Sequence, residues 1–242
     1  MQARVVGALQ GARWLATGWR LFRAAPLGWL AAVFAYWLLM TVLSLLPFVG
    51  IPAAAVLVPA FSVGFMALAR AGGRGGALEF GLLFDGFRHQ PRAQFGLGIV
   101  YLLSLALVLA VTALLDEGAL ARWMLTGERP ATEVLEAQPF FGALGMAMAL
   151  YLPVMFAFWF APALAAWHSA GAAKALFFSF FACLVNWRAF LVYGALAALL
   201  AFAAALIVRV SPLLFFPVLI VLLPTLFGSF YASYHDVFGA RE

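Results

Sequence analysis

Long apolar segments alternate with short polar ones along the chain. No Asp, Glu, Lys or Arg occurs in five windows, which are residues 27–69, 95–115, 139–167, 189–208 and 210–234. A helix that crosses about 30 Å of hydrocarbon needs about 20 mostly apolar residues. The first window is long enough for two crossings with a turn at residues 45–52, and each other window is long enough for one. The pattern predicts six transmembrane helices, near residues 27–46, 51–70, 95–115, 141–167, 189–209 and 213–234.

The composition of the chain agrees with this pattern. Of the 242 residues, 67% are hydrophobic and 10% are charged, whereas soluble domains carry about 25% charged residues. The first apolar run is about 20 residues long and lacks a small-x-small cleavage pattern, so we expect a retained helix rather than a removed signal peptide. The single cysteine, Cys183, leaves no partner for an internal disulfide. We therefore expect an all-α integral membrane protein.

The positions of the basic residues predict the orientation in the membrane. If both termini lie on one side, that side receives eleven Lys and Arg residues, which are Arg4, Arg13, Arg20, Arg23, Arg70, Arg74, Arg88, Arg92, Lys174, Arg188 and Arg241. The other side receives Arg122, Arg129 and Arg209. Cytoplasmic loops carry an excess of Lys and Arg, so we expect both termini in the cytoplasm. The net charge of +5 then indicates contact with anionic lipid headgroups and gives no reason to expect nucleic acid as a partner.

An internal repeat organises the sequence. Aromatic-rich segments 18–30, 82–95 and 179–191 each precede a helix breaker and a membrane helix, and they align on Pro26, Pro91 and Asn186. Three later segments, 58–70, 161–171 and 223–236, align on Pro59, Pro162 and Pro224. We predict three units within a single membrane domain, 1–242, each an interfacial amphipathic helix followed by a membrane hairpin. The predicted units cover residues 4–70, 77–171 and 172–236.

The interfacial segments have a helical pattern of charge. In the first unit Arg13, Thr17 and Arg20 share one face, opposite Trp14, Leu15, Leu21 and Phe22. In the second unit one face carries Asp85, Arg88, His89 and Arg92, opposite Phe80, Leu83, Phe84 and Phe87. Such helices can lie in the headgroup plane with their aromatic residues among the acyl chains, although a plain basic loop is the alternative. The third segment is apolar all round, so we expect other helices to cover it. The candidates for lipid-headgroup contact are Arg13, Arg20, Arg88, Arg92 and Arg188.

Three further features bear on function. The loop 116–138 is the long polar stretch on the far side. We interpret it as a short helix and a turn at Pro130, which either lie over the bundle as a lid or form a connection between two spans in solvent. Small residues recur at Ala197, Ala201 and Ala205, a face that suits close helix packing or dimerisation. The recurring Pro59, Pro162 and Pro224 are helix-kink candidates, while prolines at matching positions can also mark broken helices around a substrate site.

The sequence offers little chemistry. The predicted spans contain no Asp, Glu, Lys or Arg except Arg70 and Arg209 at their ends, which argues against a proton pump or a cation channel. Known hydrolase, metalloprotease and nucleotide-binding motifs are absent from the sequence. His168, His235 and Asp236 are interpreted as interfacial polar residues, and the alternative, a metal site, would need their side chains to converge on one ion. We therefore expect no cofactor, no metal and no enzymatic activity.

The chain also resembles a known family. The segments GWRLFRAAPLGWL, PAFSVGFMALARA, LLFDGFRHQP, FAPALAAWH, KALFFSFFACLVNWRAFLVYG and SYHDVF occur in this order. They resemble a family of six-helix proteobacterial inner-membrane proteins of unknown function, and the plan is similar to the membrane domain that accompanies some glycerophosphoryl diester phosphodiesterases. The resemblance implies an inner-membrane location and an all-helical fold. It implies no enzymatic activity, because the catalytic barrel of those phosphodiesterases has no counterpart in this sequence.

Two hypotheses of function follow. The first is a non-enzymatic membrane scaffold or accessory protein that contacts anionic lipid and a membrane-protein partner. The second is a carrier or flippase for a lipid or apolar small molecule, which would pass between helices near Pro59, Pro162 and Pro224. We favour the first, because the sequence offers polar and basic residues at the interface and few at the membrane midplane.

Overall fold

The computed structural model describes residues 2–239 of the chain. Within that range the backbone forms α-helices and two short 3-10 helices, Phe80–Phe84 and Pro212–Leu214, and no β-strand. The α-helices are α1 Gln10–Ala24, α2 Pro26–Ser44, α3 Gly50–Gly73, α4 Asp85–Arg88, α5 Pro91–Asp116, α6 Ala119–Thr126, α7 Thr132–Leu135, α8 Gln138–Trp159, α9 Ala161–His168, α10 Ala172–Val185, α11 Trp187–Val210 and α12 Phe215–Phe238. The expected all-α class is confirmed.

Six stretches of the described chain are long and apolar enough to cross a membrane. They are α2, α3, α5, α8 together with α9, α11, and α12 together with the 3-10 helix before it. The six predicted spans are therefore confirmed, with bounds that differ by a few residues. The threefold sequence repeat stays a prediction.

The two ends of the bundle differ in charge. Six crossings bring both termini to one end, together with α1, residues 74–90 and α10, and we call this the basic end. Among the described residues it carries ten Lys and Arg residues and three carboxylates, which are Glu79, Asp85 and Asp236. Arg241, which the sequence places at this end, lies outside the described residues. The cytoplasmic orientation of this end, which the excess of Lys and Arg indicates, stays a prediction.

Helix α1 packs on protein, which corrects one expectation. Arg13 and Arg20 are exposed, whereas Trp14 and Phe22 on the opposite face are 1% and 7% exposed. This apolar face lies against α11 and α12 and not among acyl chains. Gly18 permits the close approach, because a Cβ atom there would overlap the carbonyl oxygen of Thr225 in α12.

The second interfacial segment is not a continuous amphipathic helix. It consists of the 3-10 helix Phe80–Phe84 and the single turn α4, and it ends where Gln90 adopts a left-handed conformation before Pro91. The residue before a proline disfavours the α conformation, so a helix cannot run through this point. Leu83 is buried against α3, but Phe80 of the predicted apolar face is 54% exposed.

The third interfacial segment also differs from expectation. In α10 one face is buried against neighbouring helices, and it consists of small residues, Ala175, Ser179, Ala182 and Cys183. The opposite face is exposed and consists of large apolar residues, which are Phe177, Phe181, Leu184 and Val185. The neighbouring helices therefore cover only one side of α10.

The fourth span is broken in two near Pro162. Helix α8 ends at Trp159 and α9 begins at Ala161, with Pro162 in the first turn of α9. The Ser179 hydroxyl accepts a hydrogen bond from the Phe160 amide at 2.9 Å and donates one to the Phe156 carbonyl at 2.8 Å. Those two backbone groups would bond to each other in an uninterrupted helix, so a side chain from α10 satisfies the broken ends.

The other two candidate prolines do not interrupt their helices. Pro59 lies inside α3 and Pro224 lies inside α12, and both helices continue through them. Hydroxyl groups near these prolines also donate hydrogen bonds to backbone carbonyls. Ser62 donates to the Pro59 carbonyl, and Thr225 donates to the Val221 carbonyl. Of the three prolines, only Pro162 lies at a break between helices.

Removing the Ser179 hydroxyl should destabilise the bundle. In Ser179→Ala the buried Phe160 amide and the partly buried Phe156 carbonyl lose a partner, and we expect the free energy of unfolding to fall by about 2 kcal/mol. Denaturant unfolding in detergent, followed by circular dichroism, measures the change. The control is Ser104→Ala, because Ser104 donates only to the Val100 carbonyl of its own helix. An equal loss in both variants would contradict the assigned role of Ser179.

Asn186 holds the N-terminal segment against the bundle. Its Oδ1 accepts a hydrogen bond from the Val6 amide at 2.7 Å, and its Nδ2 donates to the Arg4 carbonyl at 2.9 Å. The Arg4 amide in turn donates to the Val237 carbonyl at 2.9 Å. One side chain that is 1% exposed thus joins the start of the chain to the junction of α10 and α11.

The substitution Asn186→Ala should release this segment. In this variant residues 2–9 lose both hydrogen bonds to the Asn186 side chain. We therefore expect the backbone N–H groups of residues 2–9 to exchange with deuterium at least tenfold faster, which corresponds to about 1.4 kcal/mol of lost protection. Hydrogen exchange with peptide mass spectrometry measures this, and peptides from α5 serve as an internal reference. Unchanged exchange of residues 2–9 would show that Asn186 does not hold them.

The loop 116–138 forms a cap on the opposite end of the bundle. It contains α6 and α7, and Asp116 at the end of α5 accepts hydrogen bonds from the backbone amides of Gly118 and Leu120. Leu120 and Phe140 pack together with Ala119 in a small apolar cluster. The predicted short helix is therefore present, and it is packed onto the start of α8.

Candidate anion-binding cleft

A cleft of about 870 Å³ opens at the basic end of the bundle. Four helices form its walls: α1 on one side, and the last turns of α3, α9 and α12 on the other sides. Its polar lining is mainly basic and aromatic, and it comprises Gln10, Arg13, Trp14, Thr17, Arg20, Arg70, Arg74, Trp167, Tyr231, Tyr234, His235 and Asp236. We call this the arginine cleft.

Four arginines line the cleft, two from α1 and two from the end of α3. Arg13 donates to Gln10 Oε1 at 3.1 Å, and Arg20 donates to Thr17 Oγ1 at 2.9 Å. The Arg70 guanidinium lies 5.3 Å from the centre of the Trp167 ring, within the range of a cation–π contact. Arg74 is exposed one helical turn after Arg70.

These arginines have no acidic partner in the described part of the chain. Within residues 2–239 no carboxylate lies within 4.0 Å of any of the four guanidinium groups. A planar guanidinium presents five N–H donors, and each contact described above uses few of them. Most donors in the cleft are therefore available to water or to an anion.

Asp236 is the one carboxylate among the described residues that line the cleft, and it already accepts two hydrogen bonds. Asp236 Oδ2 accepts a hydrogen bond from Gln10 Nε2 and another from Trp14 Nε1, each at 2.7 Å. Both donors belong to α1, so Asp236 fastens α1 to the end of α12. The carboxylate thus helps to assemble the cleft and leaves the arginines unneutralised.

The two histidines near the cleft have different positions. His235 lines the cleft, and its ring lies 6.0 Å from that of Tyr231 between ring centres. His168 lies at the end of α9, outside the lining, and its Nε2 is 2.8 Å from the hydroxyl of Tyr234. Within the described residues no group of three His, Cys, Asp or Glu side chains could hold a metal ion.

The structure separates the sequence candidates for headgroup contact. Arg13 and Arg20 lie in the cleft together with His235 and Asp236. Arg88, Arg92 and Arg188 are exposed and lie outside it, and Arg188 instead packs over Trp187 at 5.4 Å from the ring centre. The five arginines therefore do not form one surface.

Sequence reasoning missed Arg70 and Arg74 as site residues. In the sequence both residues serve only as indicators of orientation. The available signal was their four-residue spacing at the end of a predicted span, which places two cations on one helix face at the interface. Their convergence with α1, about 50 residues earlier in the chain, is visible only in the fold.

The cleft has the chemistry of an anion site. Arg guanidinium groups recognise phosphate and carboxylate through paired N–H donors, and such charge-assisted hydrogen bonds are stronger than neutral ones. Trp167 and Tyr231 add the amphipathic rings that are common at membrane interfaces.

The six apolar spans and the basic end define a polytopic helical membrane protein. Comparison with known proteins agrees with this class. The chain is 38% identical to a probable inner membrane protein of Burkholderia thailandensis over 258 aligned positions, which cover 100% of this chain and 96% of that protein. The chain belongs to the family of that inner membrane protein.

The other comparisons give no match. No family model matches the chain, and no solved structure does. The similarity in plan to the membrane domain of glycerophosphoryl diester phosphodiesterases is not supported by any of these findings.

Proposed function

We propose that the protein is a non-enzymatic inner-membrane protein that holds the phosphate headgroup of an anionic lipid in the arginine cleft. In this proposal the bound lipid stabilises the basic end, which serves as a scaffold or accessory surface for a membrane-protein partner. The observation that carries the proposal is the convergence of four arginines around one cleft without an acidic partner in the described chain.

Electrostatics favours an anion in this position. Four guanidinium groups line the same cleft, and the repulsion between like charges raises the free energy of the protein. An anionic phosphate would relieve this repulsion and would accept several charge-assisted hydrogen bonds at once. Asp236 can relieve this repulsion only in part, because its Oδ2 already accepts hydrogen bonds from Gln10 and Trp14.

The position of the cleft favours a lipid as the source of the phosphate. Three of its walls are the ends of apolar helices that are long enough to span a membrane, so the cleft lies where headgroups lie. Arg13, Arg20 and Arg74 are exposed, and the cleft is open to that region. A soluble phosphorylated compound shares the same chemistry and is an outcome that the experiment below distinguishes.

The packing near Pro162 gives less support to the carrier hypothesis. A broken helix can mark a transport pathway, but Phe160 at the break is 0% exposed and Ser179 fills the gap in the hydrogen bonding. Residues Ala161 to Ala166 of α9 are also buried. The break is thus closed by protein, which supports a binding role at the basic end over passage through the bundle.

Native mass spectrometry tests the proposal on protein released from its own membrane in lipid nanodiscs. We expect one or more anionic phospholipids to stay bound after neutral lipids dissociate. If a soluble phosphorylated compound stays bound and no lipid does, the cleft is assigned to a soluble ligand. Loss of all lipids with equal ease would contradict a headgroup site, and transfer of labelled lipid across liposomes would favour the carrier.

A further inference from the structure

Helix α10 has two faces of different character. The residues buried against the bundle are small, whereas the exposed arc carries Phe177, Phe181, Leu184 and Val185, which are 59%, 45%, 45% and 48% exposed. At 100° per residue these four side chains fall within one arc of about 100°, and Lys174 in the first turn of the helix falls within the same arc. Lys174 is the only charged residue in the helix.

The helix is too short to cross the membrane. It has 14 residues, which correspond to about 21 Å at 1.5 Å per residue, and hydrocarbon is about 30 Å thick. It connects two spans at the basic end and packs mainly on α8 and α9. Its exposed arc therefore lies at the level where that end of the bundle meets the membrane surface.

We propose that α10 lies along the leaflet at the basic end and inserts its exposed apolar arc among the acyl chains. An exposed row of two phenylalanines, a leucine and a valine is costly in water, so the row requires an apolar environment. The occupant is lipid, and two observations support that choice.

The first observation is continuity with a spanning helix. Trp187 and Leu191 at the start of α11 are 52% and 65% exposed, and they extend the apolar surface of α10 into a helix long enough to cross the membrane. The second observation is charge. The exposed cations Lys174 and Arg188 lie near the two ends of the arc, where they can reach anionic headgroups while the apolar residues between them are immersed.

This inference is independent of the proposed function. The exposed arc of α10 shares no residue with the arginine cleft. An in-plane helix could accompany either a scaffold or a carrier, and the experiment below gives its result whether or not the cleft binds lipid.

Spin labels on α10 test the inference. Single cysteines replace Phe181 or Leu184 on the arc, with Arg88→Cys as the control, because Arg88 is exposed at the same end of the bundle and lies outside α10. The native Cys183 is 0% exposed, and burial raises the pKa of its thiol well above the ordinary value, so we expect it to stay unlabelled. Unsubstituted protein treated with the label checks this.

The labelled proteins are reconstituted in vesicles of phosphatidylethanolamine and phosphatidylglycerol. For each label we take the ratio of its collisions with oxygen to its collisions with a water-soluble nickel complex. We expect this ratio to be at least threefold higher at 181 and 184 than at 88. Equal access of the nickel complex at all three positions would place the arc in water and overturn the inference. Low access to both reagents with spin–spin broadening would assign the arc to a second copy of the chain and would also overturn it.

Discussion

We expect the substitution Gly18→Val to detach α1 from the bundle and to lower the free energy of unfolding by about 3 kcal/mol or more. A Cβ atom at Gly18 would overlap the Thr225 carbonyl and the Ser229 amide, and Gly228 faces Gly18 from α12 at the same crossing. Extra bulk in a packed contact costs about 1–3 kcal/mol even where side chains can yield. Here the opposing atoms belong to a helix backbone, which cannot rotate away.

Thermal unfolding in detergent measures this loss of stability. The matched control is Gly194→Val in α11, because a Cβ atom at Gly194 meets nothing within 4 Å. Both substitutions exchange a helical glycine for the same residue, so differences in helix propensity cancel. If α1 is a structural part of the bundle, only Gly18→Val lowers the melting temperature. Equal melting temperatures would show that the contact between α1 and α12 contributes little.

The same substitution should also impair ligand binding. Arg13 and Arg20 reach the cleft only because α1 lies across α12, where Asp236 receives its hydrogen bonds from Gln10 and Trp14. Displacing α1 removes that wall. We therefore expect Gly18→Val to release bound anionic lipid at a temperature where the protein is still folded, whereas Gly194→Val retains it.

The double substitution Arg70→Gln with Arg74→Gln should weaken binding of an anionic lipid by about tenfold to a hundredfold. Each arginine is expected to contribute charge-assisted hydrogen bonds, and such bonds contribute about 1.5–3 kcal/mol each. We take the lower part of this range because Arg74 is exposed and water screens its charge. Glutamine keeps polar donors and much of the side-chain length, so the change isolates the charge.

A lipid titration of the purified protein measures this affinity, with binding followed by microscale thermophoresis in neutral detergent. The control is Arg88→Gln with Arg92→Gln, since these exposed arginines lie at the same end but outside the cleft. We expect the control to bind within about twofold of the unsubstituted protein, and raised salt to weaken binding in both. A similar loss in both double variants would indicate general attraction to the basic end in place of a site.

The spans could be predicted because their signal is local. Length and hydropathy of each segment decide whether it can cross a membrane, and the described chain has the six long apolar stretches that the sequence predicts. The break after Trp159 was harder to predict. Prolines also lie within α3 and α12, yet those helices continue, and the difference involves Ser179, which reaches the break from another helix.

The surroundings of the interfacial helices could not be predicted from periodicity. The pattern in α1 gives the correct two faces, but it does not say whether lipid or protein covers the apolar one. The answer depends on Gly18, which allows the backbone of α1 to approach α12. In α10 the small residues Ala175 and Ala182 pack inward and leave Phe177 and Phe181 outside.

The sequence indicates only some of the residues that line the cleft. The sequence indicates Arg13 and Arg20, because they share a polar helix face. It also indicates His235 and Asp236, as polar residues at the end of a helix. Arg70 received no role, because nothing local links the end of α3 to α1. The fold brings these positions together from three distant parts of the chain.

Photocrosslinking with an anionic phospholipid that carries a diazirine on its headgroup tests the central claim most directly. The protein is reconstituted with trace amounts of this lipid, irradiated and digested, and the crosslinked peptides are identified by mass spectrometry. The account predicts that crosslinks concentrate in residues 10–20, 70–74 and 231–239, and that excess unlabelled anionic lipid suppresses them. Crosslinks spread evenly over the basic end, or concentrated at residues 88–92, would contradict a headgroup site in the arginine cleft.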